Sequence, residues 1–253
     1  MIGDIVGRPG RRAVQEIVPS LRKDLDIDLV IANGENSAGG FGITFDTAQE
    51  ILDSGVNVIT SGNHIWKKRE IIPYLQEELP VLRPSNYPKT TPGRGQLNIG
   101  DVMVVNLMGR VFMEALDCPF READRLLKEA EGLNSPSIVL VDFHAEATSE
   151  KQAMGWYLDG RVSAVVGTHT HVPTADNRIL PKGTAYVSDL GMVGPINSVI
   201  GTEPNAVVQK FLTQMPHQFT VASGPVTFNS VLIEIDDETG KAVSVDRVDR
   251  LIN

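Results

Sequence analysis

Four short apolar runs along the chain each end in a polar cluster. They are DLVIANGEN (28–36), VNVITSGNH (56–64), SIVLVDFHAE (137–146) and SAVVGTHTH (163–171). An apolar run rich in β-branched residues that stops at a polar break is typical of a buried strand meeting its loop. The predicted strands span 28–33, 56–61, 102–108 (VMVVNLM), 137–143 and 162–167.

Helical patterns fall between these strands, near 11–23, 44–54, 120–132 and 150–158. The first is expected to follow a loop that contains Gly7, Pro9 and Gly10. Thr44 is a candidate N-cap of the second helix. Before the last, Ser149 and Gln152 match a capping box. Because strand and helix alternate, we expect a parallel sheet with right-handed crossovers.

The C-terminal part has a different pattern. VTFNSVLIEI and AVSVDRV flank DDETGK, which predicts a hairpin with a glycine-containing turn. With the preceding elements, this favours two sheets packed face to face with helices outside. A single domain over residues 1–253 is expected.

Composition narrows the classes of protein. The formal net charge is −9, which argues against an extended nucleic-acid-binding face but allows a small anionic substrate at a metal centre. Cys118 is the single cysteine, so an intrachain disulfide and a thiolate metal site are excluded. The chain lacks an apolar run of about eighteen residues and a secretory leader pattern. We therefore expect a cytoplasmic protein without a membrane span, and a homo-oligomer is compatible with the sequence.

Polar side chains gather at the predicted strand ends. In open α/β sheets, the loops past the carboxyl ends of the strands build the active site. Oxygen and imidazole donors without thiolate suit one or two hard-to-intermediate metal ions. The candidate site residues are Asp4, Glu35, Asn36, Asn63, His64, His144, His169 and His171. The fifth histidine, His217, is expected on the surface.

These residues also have structural interpretations. Asp4 could cap a turn, and His64 could cap a strand. A lone histidine after an apolar run, such as His144, is more often a core residue with satisfied hydrogen bonds. Glu35 is by contrast a poor core residue unless it is paired or binds a metal.

Further residues could extend the site. In an extended segment residues i and i+2 point to one face, so His169 and His171 are expected to reach one centre. Arg8 and Arg110 follow strand ends and could contact an anionic substrate, or simply lie on the surface. The glycine-rich segment SAGGFG (37–42) could be a mere connection or could cradle a phosphate, although it lacks the spacing of a Walker loop.

The order of the motifs resembles the calcineurin-like metallophosphoesterase superfamily. The matching motifs are Gly3-Asp4, Asn33-Gly34-Glu35-Asn36, Gly62-Asn63-His64, His144 and Gly167-Thr168-His169-Thr170-His171. Over nearly the whole chain, longer strings resemble its YmdB-like bacterial branch, which is associated with phosphodiesterase activity on 2′,3′-cyclic nucleotides. These strings are GDIVGRPGRR, NGENSAGGFG, GNHIWKK, NLMGRVFM, DFHAEATSEK, GTHTHVPTAD and SDLGMVGP.

The resemblance implies a four-layer α/β/β/α sandwich, in which helices flank two mixed sheets, and a dinuclear metal centre. Iron or manganese is the expected metal, and zinc is an alternative. Glu35 would bridge the two ions. Their other ligands would be Asp4, His171 and Asn36 on one ion, and Asn63, His144 and His169 on the other. Val6 stands where the wider superfamily has a histidine, and Glu35 where it has an aspartate; both fit the YmdB-like pattern.

The predicted function is that of a metal-dependent phosphodiesterase acting on a small phosphoester, in particular a 2′,3′-cyclic nucleotide. A metal-bridging hydroxide would attack phosphorus, and His64 would protonate the departing oxygen as general acid. A phosphomonoesterase or 5′-nucleotidase with the same centre is one alternative. Another is a regulatory binding protein whose metal site is mainly structural. The presence of His64 favours an enzyme, because that residue is not needed to hold the metals.

Overall fold

Strands and helices alternate through most of the computed structural model, which describes residues 1–76, 79–132 and 135–253. The helices are α1 (Gly7–Asp24), α2 (Phe45–Asp53), α3 (Pro119–Ala130), α4 (Thr148–Leu158) and α5 (Pro204–Thr213), with a 3₁₀ helix over Arg69–Tyr74. Among the described residues, no helix is both long enough and apolar enough to cross a membrane.

The strands fall in every part of the chain. They are β1 (Asp4–Ile5), β2 (Ile31–Asn33), β3 (Val58–Thr60), β4 (Gln96–Ile99), β5 (Val102–Met108), β6 (Ile138–His144), β7 (Ala164–Thr168), β8 (Arg178–Ile179), β9 (Ala185–Val187), β10 (Met192–Pro195), β11 (Val226–Phe228), β12 (Val231–Ile235), β13 (Ala242–Arg247) and β14 (Arg250–Ile252).

Two larger sheets organise these strands. One has the order β4-β5-β6-β7-β9-β8, with a parallel centre and antiparallel edges. The other has the order β1-β10-β11-β14, in which β1 and β10 are parallel. β2 and β3 pair in parallel, and a parallel bridge joins Ile2 to Ala32 of β2. The fold is therefore mixed α/β with several sheets, and the predicted parallel pairing is confirmed.

Three apolar cores lie between these elements. The first packs α1 and α2 against strands β1, β3 and β10, and the second packs α3 and α4 against the six-stranded sheet. The third joins β2, β3, β12 and β13 to the six-stranded sheet. Representative buried members are Val14 and Ile59 in the first core, Leu126 and Phe143 in the second, and Ile31 and Val166 in the third.

Helix α1 begins earlier than predicted. It starts at Gly7 rather than near residue 11, so Gly7, Pro9 and Gly10 lie in its first turns instead of in a loop. Proline is tolerated at this end, because the first backbone N–H groups of a helix have no partner within it. Gly10 also lets α1 approach β10, since a Cβ there would lie 2.3 Å from the Val193 carbonyl oxygen.

The other boundaries are confirmed in part. Thr44 caps α2 as predicted, and its hydroxyl accepts a hydrogen bond from the Thr47 amide. The capping box predicted at Ser149 is wrong, because α4 already starts at Thr148. β2 starts at Ile31 rather than at 28, because the Val30 amide donates to the Asn57 side chain instead of to a strand.

The C-terminal hairpin is confirmed. β12 and β13 pair antiparallel, from Val231 opposite Arg247 to Ile235 opposite Ala242. The connecting segment closes through a hydrogen bond of 2.8 Å from the Gly240 amide to the Asp236 carbonyl oxygen.

Candidate metal centre

The predicted ligands meet near the ends of parallel strands. His144 ends β6, and His169 directly follows β7, which is the neighbour of β6 in the six-stranded sheet. Glu35 follows β2, and Asn63 follows β3. Asp4 begins β1. Because carboxyl ends of parallel strands open on the same edge, the backbone brings residues that are distant in the chain to one place.

One group of donors forms around His144. Its Nε2 atom lies 3.1 Å from Glu35 Oε1, 3.1 Å from Asn63 Oδ1 and 3.0 Å from His169 Nδ1. Glu35, His144 and His169 each offer a ligand atom within 4.8 Å of the others, which is close enough to hold one metal ion. Gly62 makes room for this approach, because a Cβ there would lie 2.0 Å from His144 Cδ2.

A second group forms around Asp4. Its Oδ1 atom lies 3.7 Å from His171 Nε2, and Asn36 Nδ2 lies 3.1 Å from the same nitrogen. His171 Nδ1 donates to the Ile200 carbonyl oxygen at 2.8 Å, which leaves the lone pair on Nε2. Asp4 Oδ1 is buried and finds no hydrogen-bond donor among the described residues. A buried carboxylate oxygen without a donor fits a cation, because an uncompensated buried charge is costly.

Glu35 and Asp4 connect the two groups. Glu35 Oε2 accepts a hydrogen bond from the His64 amide at 2.8 Å, and Glu35 Oε1 lies 3.4 Å from His64 Nδ1. Asp4 Oδ2 accepts from the His169 amide at 3.1 Å. Asn36 Oδ1 accepts from His64 Nδ1 at 2.6 Å, so Asn36 links His64 to His171. The structure thus brings all eight predicted site residues into one connected cluster.

The prediction of an extended segment at His169 and His171 is wrong. Both residues have left-handed backbone conformations, with φ of +102° and +65°. The two imidazoles therefore reach different groups, His169 toward His144 and His171 toward Asp4. Such φ values are strained for residues with a Cβ, and they persist only where the surroundings impose them.

A buried ion pair supports this strained segment. Lys151 Nζ lies 2.5 Å from Asp189 Oδ2, and both side chains are only 2% exposed. The same Asp189 oxygen accepts the Thr170 amide at 3.1 Å, and the other accepts the Gly191 amide at 2.8 Å. The sequence does not predict this pair. Its two residues lie in DFHAEATSEK and SDLGMVGP, but nothing in the pattern shows that they meet.

A polar network also lies behind His144. Its Nδ1 atom donates to Thr168 Oγ1 at 3.0 Å, and that hydroxyl donates to Asp142 Oδ1 at 2.7 Å. Thr60 donates to the other Asp142 oxygen. This arrangement commits Nδ1 as a donor, so Nε2, which faces the candidate centre, is the nitrogen that can bind a metal once it gives up its proton. Asp142 was missed as well, although an aspartate inside the apolar run IVLVDF marks a buried polar network.

Charges in the site are strongly coupled. Burial raises the pKa of Asp4 and Glu35, but neighbouring imidazoles more than offset this, so the pKa of each carboxyl lies below its usual value. Burial lowers the pKa of His144, but Glu35 and Asp4 raise it to about 9. Burial and the charge of His144 lower the pKa of His169 to about 4. Two buried carboxylates thus draw positive charge into the cluster, and an imidazole that is neutral at pH 7 is available as a ligand.

A cavity of about 270 Å³ opens beside the cluster. Glu35, Asn36, His64, His169 and His171 line it on the polar side, together with Glu146. The Glu146 carboxylate lies 3.1 Å from His169 Nε2 and was not predicted. The exposed residues Arg8 and Arg110 lie outside the lining formed by the described residues, and their predicted substrate contact stays a prediction. His217 is exposed, as expected.

Buried carboxylates and imidazoles at the strand ends of a mixed α/β fold define a protein with a candidate metal centre. The chain belongs to the family of YmdB-like proteins, whose family model matches residues 1–248. This confirms the resemblance recognised in the motifs.

Relatives and solved structures agree with this assignment. The chain is 49% identical to the 2′,3′-cyclic-nucleotide 2′-phosphodiesterase of Bacillus subtilis, covering 100% of this chain and 96% of that protein. It is 34% identical to a putative phosphatase/phosphodiesterase of Mycoplasma genitalium, covering 98% and 90%. A crystal structure of a hypothetical protein from Thermus thermophilus matches with a TM-score of 0.93 and 45% identity, over 100% of this chain and 98% of that one. A novel phosphatase from Mycoplasma pneumoniae matches with a TM-score of 0.93 and 32% identity, over 100% and 92%.

Proposed function

We propose that this protein is a metal-dependent phosphodiesterase that hydrolyses 2′,3′-cyclic nucleotides. One observation carries the proposal: two groups of ligand atoms, connected through Glu35, border a cavity in a chain 49% identical to a 2′,3′-cyclic-nucleotide 2′-phosphodiesterase. Arg8 and Arg110 are proposed to contact the substrate from outside the cavity lining of the described residues.

The donor set suits two metal ions, with Glu35 shared between them. Asp4 and His171, assisted by Asn36, would hold one ion, and Asn63, His144 and His169 would hold the other. The unpartnered Asp4 Oδ1 supports this division, as do His144 and His171, whose Nδ1 atoms are committed elsewhere so that Nε2 is left for a metal. The family resemblance implies iron or manganese, with zinc as an alternative, and a set of oxygen and nitrogen donors suits all three. Bound there, the ions would supply Lewis-acid charge that stabilises phosphoryl oxygens and activates water.

His64 would act as the general acid. Its Nδ1 atom is occupied by Asn36 Oδ1, so Nε2 is the nitrogen left to give a proton to the departing oxygen. Burial lowers the pKa of His64, and Glu35 only partly offsets this. The anionic phosphate of the substrate would raise that pKa again, since an opposite charge within about 4–6 Å favours the protonated form.

The fold expected for such an enzyme is a four-layer α/β/β/α sandwich in a single domain. Three apolar cores are what four stacked layers need, and the three cores described above support that arrangement. The proposed location is the cytoplasm, where small nucleotides occur.

The test is a substrate panel on protein purified without chelator, paired with metal analysis. Wild type should contain close to two ions per chain and turn over 2′,3′-cyclic AMP faster than adenosine 5′-phosphate. Asp4→Asn should lose metal and activity together, whereas Asp28→Asn, a matched change at an exposed aspartate, should lose neither. Turnover of monoesters alone would show a phosphomonoesterase instead. Metal binding without turnover of any phosphoester would favour a regulatory binding protein.

A further inference from the structure

The glycine-rich segment 37–42 has an aromatic residue that the proposed metal chemistry does not use. Phe41 lines the cavity, and its side chain is 43% exposed. Its ring meets the imidazole of His64 edge to face, with 5.1 Å between ring centroids. A large apolar ring held open to a cavity, next to the proposed acid, is a surface for a ligand rather than for the core.

The segment is built to hold Phe41 in place. The Ala38 amide donates to the Gly42 carbonyl at 2.9 Å, and the Gly40 amide donates to the Asn36 carbonyl at 3.1 Å. Gly40 and Gly42 flank Phe41 with φ of +93° and +84°, which glycine adopts without strain. The segment therefore ties the position of the ring to that of Asn36, which in turn contacts His64 and His171.

Other apolar side chains line the same cavity. Ile200 is 51% exposed, and Phe219 is 38% exposed. The Ile200 backbone has a strained φ of +47°, and its carbonyl accepts the hydrogen bond from His171 Nδ1. The cavity thus has two chemical ends: buried carboxylates and imidazoles on one, and exposed flat or branched apolar groups on the other. Because the proposed metal ions would make the polar end positive, a ligand that fits both ends carries an anionic group joined to a flat apolar group.

We propose that Phe41, together with Ile200 and Phe219, forms the subsite for the base of the nucleotide substrate. This inference rests on the proposed function. Phe41 stacks on the base while the phosphate lies over the polar end of the cavity. Stacking is tolerant of base identity, because every base has a π face. The subsite therefore selects a nucleotide over a simple phosphodiester without selecting strongly among the bases.

The experiment compares two substrates that differ only in the base, 2′,3′-cyclic AMP and the cyclic phosphate of methyl riboside. In Phe41→Ala, we expect KM for 2′,3′-cyclic AMP to rise by roughly 5- to 150-fold, as loss of one aromatic–base stack predicts. We expect kcat to hold, because the lost contact is made equally in ground and transition states. KM for the base-free substrate should stay within about twofold. Phe41→Leu should resemble Phe41→Ala, and Phe41→Trp should retain most of the affinity.

Controls separate the subsite from damage to the fold or to the metals. Phe211→Ala removes an exposed phenylalanine of α5 that lies outside the described cavity lining, and it should leave both substrates unchanged. Metal content and Tm of the Phe41 variants should match wild type. Equal losses on both substrates, or no loss on either, would overturn the subsite, since Phe41 would then only position His64 or do nothing.

A binding measurement keeps the subsite and the proposed function apart. Titration of metal-loaded wild type and Phe41→Ala with adenosine 3′-phosphate and with methyl riboside 3-phosphate needs no turnover. If neither cyclic phosphate is hydrolysed, the proposed function fails. The subsite is still supported if wild type binds adenosine 3′-phosphate more tightly than Phe41→Ala does, while the two proteins bind methyl riboside 3-phosphate equally. If both cyclic phosphates are hydrolysed but each 3-phosphate has the same Kd for wild type and Phe41→Ala, the subsite is rejected and the proposed function is kept.

Discussion

Three of the four imidazoles of the candidate centre have one nitrogen committed to a hydrogen-bond acceptor. His144 Nδ1 donates to Thr168, His171 Nδ1 to the Ile200 carbonyl, and His64 Nδ1 to Asn36. A committed nitrogen fixes the tautomer and the ring orientation, so the other nitrogen is left to bind a metal or, in the doubly protonated ring, to give a proton. The chemistry of each of these ring nitrogens is therefore decided by the group that holds the opposite nitrogen.

Thr168→Val tests this control of tautomer. Valine keeps the shape of threonine but cannot accept from His144 Nδ1, so that ring loses its orientation and the adjacent Asp142 loses a donor. We expect metal affinity to fall by about 10- to 100-fold, measured by competition with a chromogenic chelator. Thr184→Val is the matched control, because its buried hydroxyl bonds to the Val162 carbonyl instead. An unchanged affinity in Thr168→Val would show that the network is structural only.

His64→Ala should keep the metals and lose acid catalysis. We expect kcat/KM for 2′,3′-cyclic nucleotides to fall by about 10²- to 10⁴-fold, because a ribose alkoxide needs its proton to leave. Hydrolysis of bis-p-nitrophenyl phosphate should fall much less, because nitrophenolate leaves without that help. His169→Ala, by contrast, should lose metal. Equal losses on both substrates in His64→Ala would assign a positioning role, and loss of metal would make His64 a ligand.

At the scale of elements, the segment 169–171 depends on helix α4 as much as on its own strand. Lys151 of α4 pairs with Asp189, and Asp189 holds the Thr170 amide between the two strained histidines. The helix thus fixes a backbone conformation that the residues of the segment would not adopt alone.

Lys151→Met should reveal this dependence. Removing one partner of a buried pair leaves the other charge uncompensated, so we expect the free energy of unfolding to fall by about 3–5 kcal/mol, measured by urea denaturation. Arg161→Met breaks the exposed pair with Asp124 and should cost less than about 1 kcal/mol. If Lys151→Met lowers the free energy of unfolding as little as Arg161→Met does, the Lys151–Asp189 pair does not support the segment 169–171 in the way described.

The secondary-structure elements also show how much of the fold and of the candidate site the sequence pattern predicts. Runs such as VMVVNLM predict β5 to the residue, because burial on both faces leaves a continuous apolar pattern. The pattern also pointed to the residues that the structure brings together in the candidate centre, because polar residues stand out at the ends of such runs. It could not show the bend at His169 and His171, or that Thr168 faces Asp142, because those depend on contacts between segments that are separated in the chain. Glycine and proline at the start of α1 suggested a loop, although both fit the first turns of a helix.

For the whole molecule, the main energetic problem of the site is buried charge. Asp4, Glu35 and His144 are almost completely buried, at 0%, 1% and 0% exposure. Neighbouring imidazoles and backbone amides offset the charges of the two carboxylates, whereas cations would neutralise them directly. Metal binding to the folded state alone is also a source of stability.

Removal of metal should therefore lower Tm as well as activity. An ion at a concentration about 1,000 times its Kd stabilises the fold by roughly 4 kcal/mol. For a chain of this size, dialysis against chelator should therefore lower Tm by about 10 °C. Readdition of manganese or iron should restore both Tm, measured by calorimetry, and turnover, measured by the substrate assay. Full activity after complete removal of metal would reject a metal-dependent mechanism.

The single domain over residues 1–253 stays a prediction, and one cooperative calorimetric transition is the result expected for it.

The pairing of β1 with β10 has a consequence for how the protein is made. Asp4 lies in register with Met192, and the two strands are parallel neighbours. Because synthesis runs from the N-terminus, the strand that pairs with Asp4 is made only after every other proposed ligand. The proposed metal site therefore cannot be complete before β10 has been made, and we expect metal to bind after that point rather than to the shorter nascent chain.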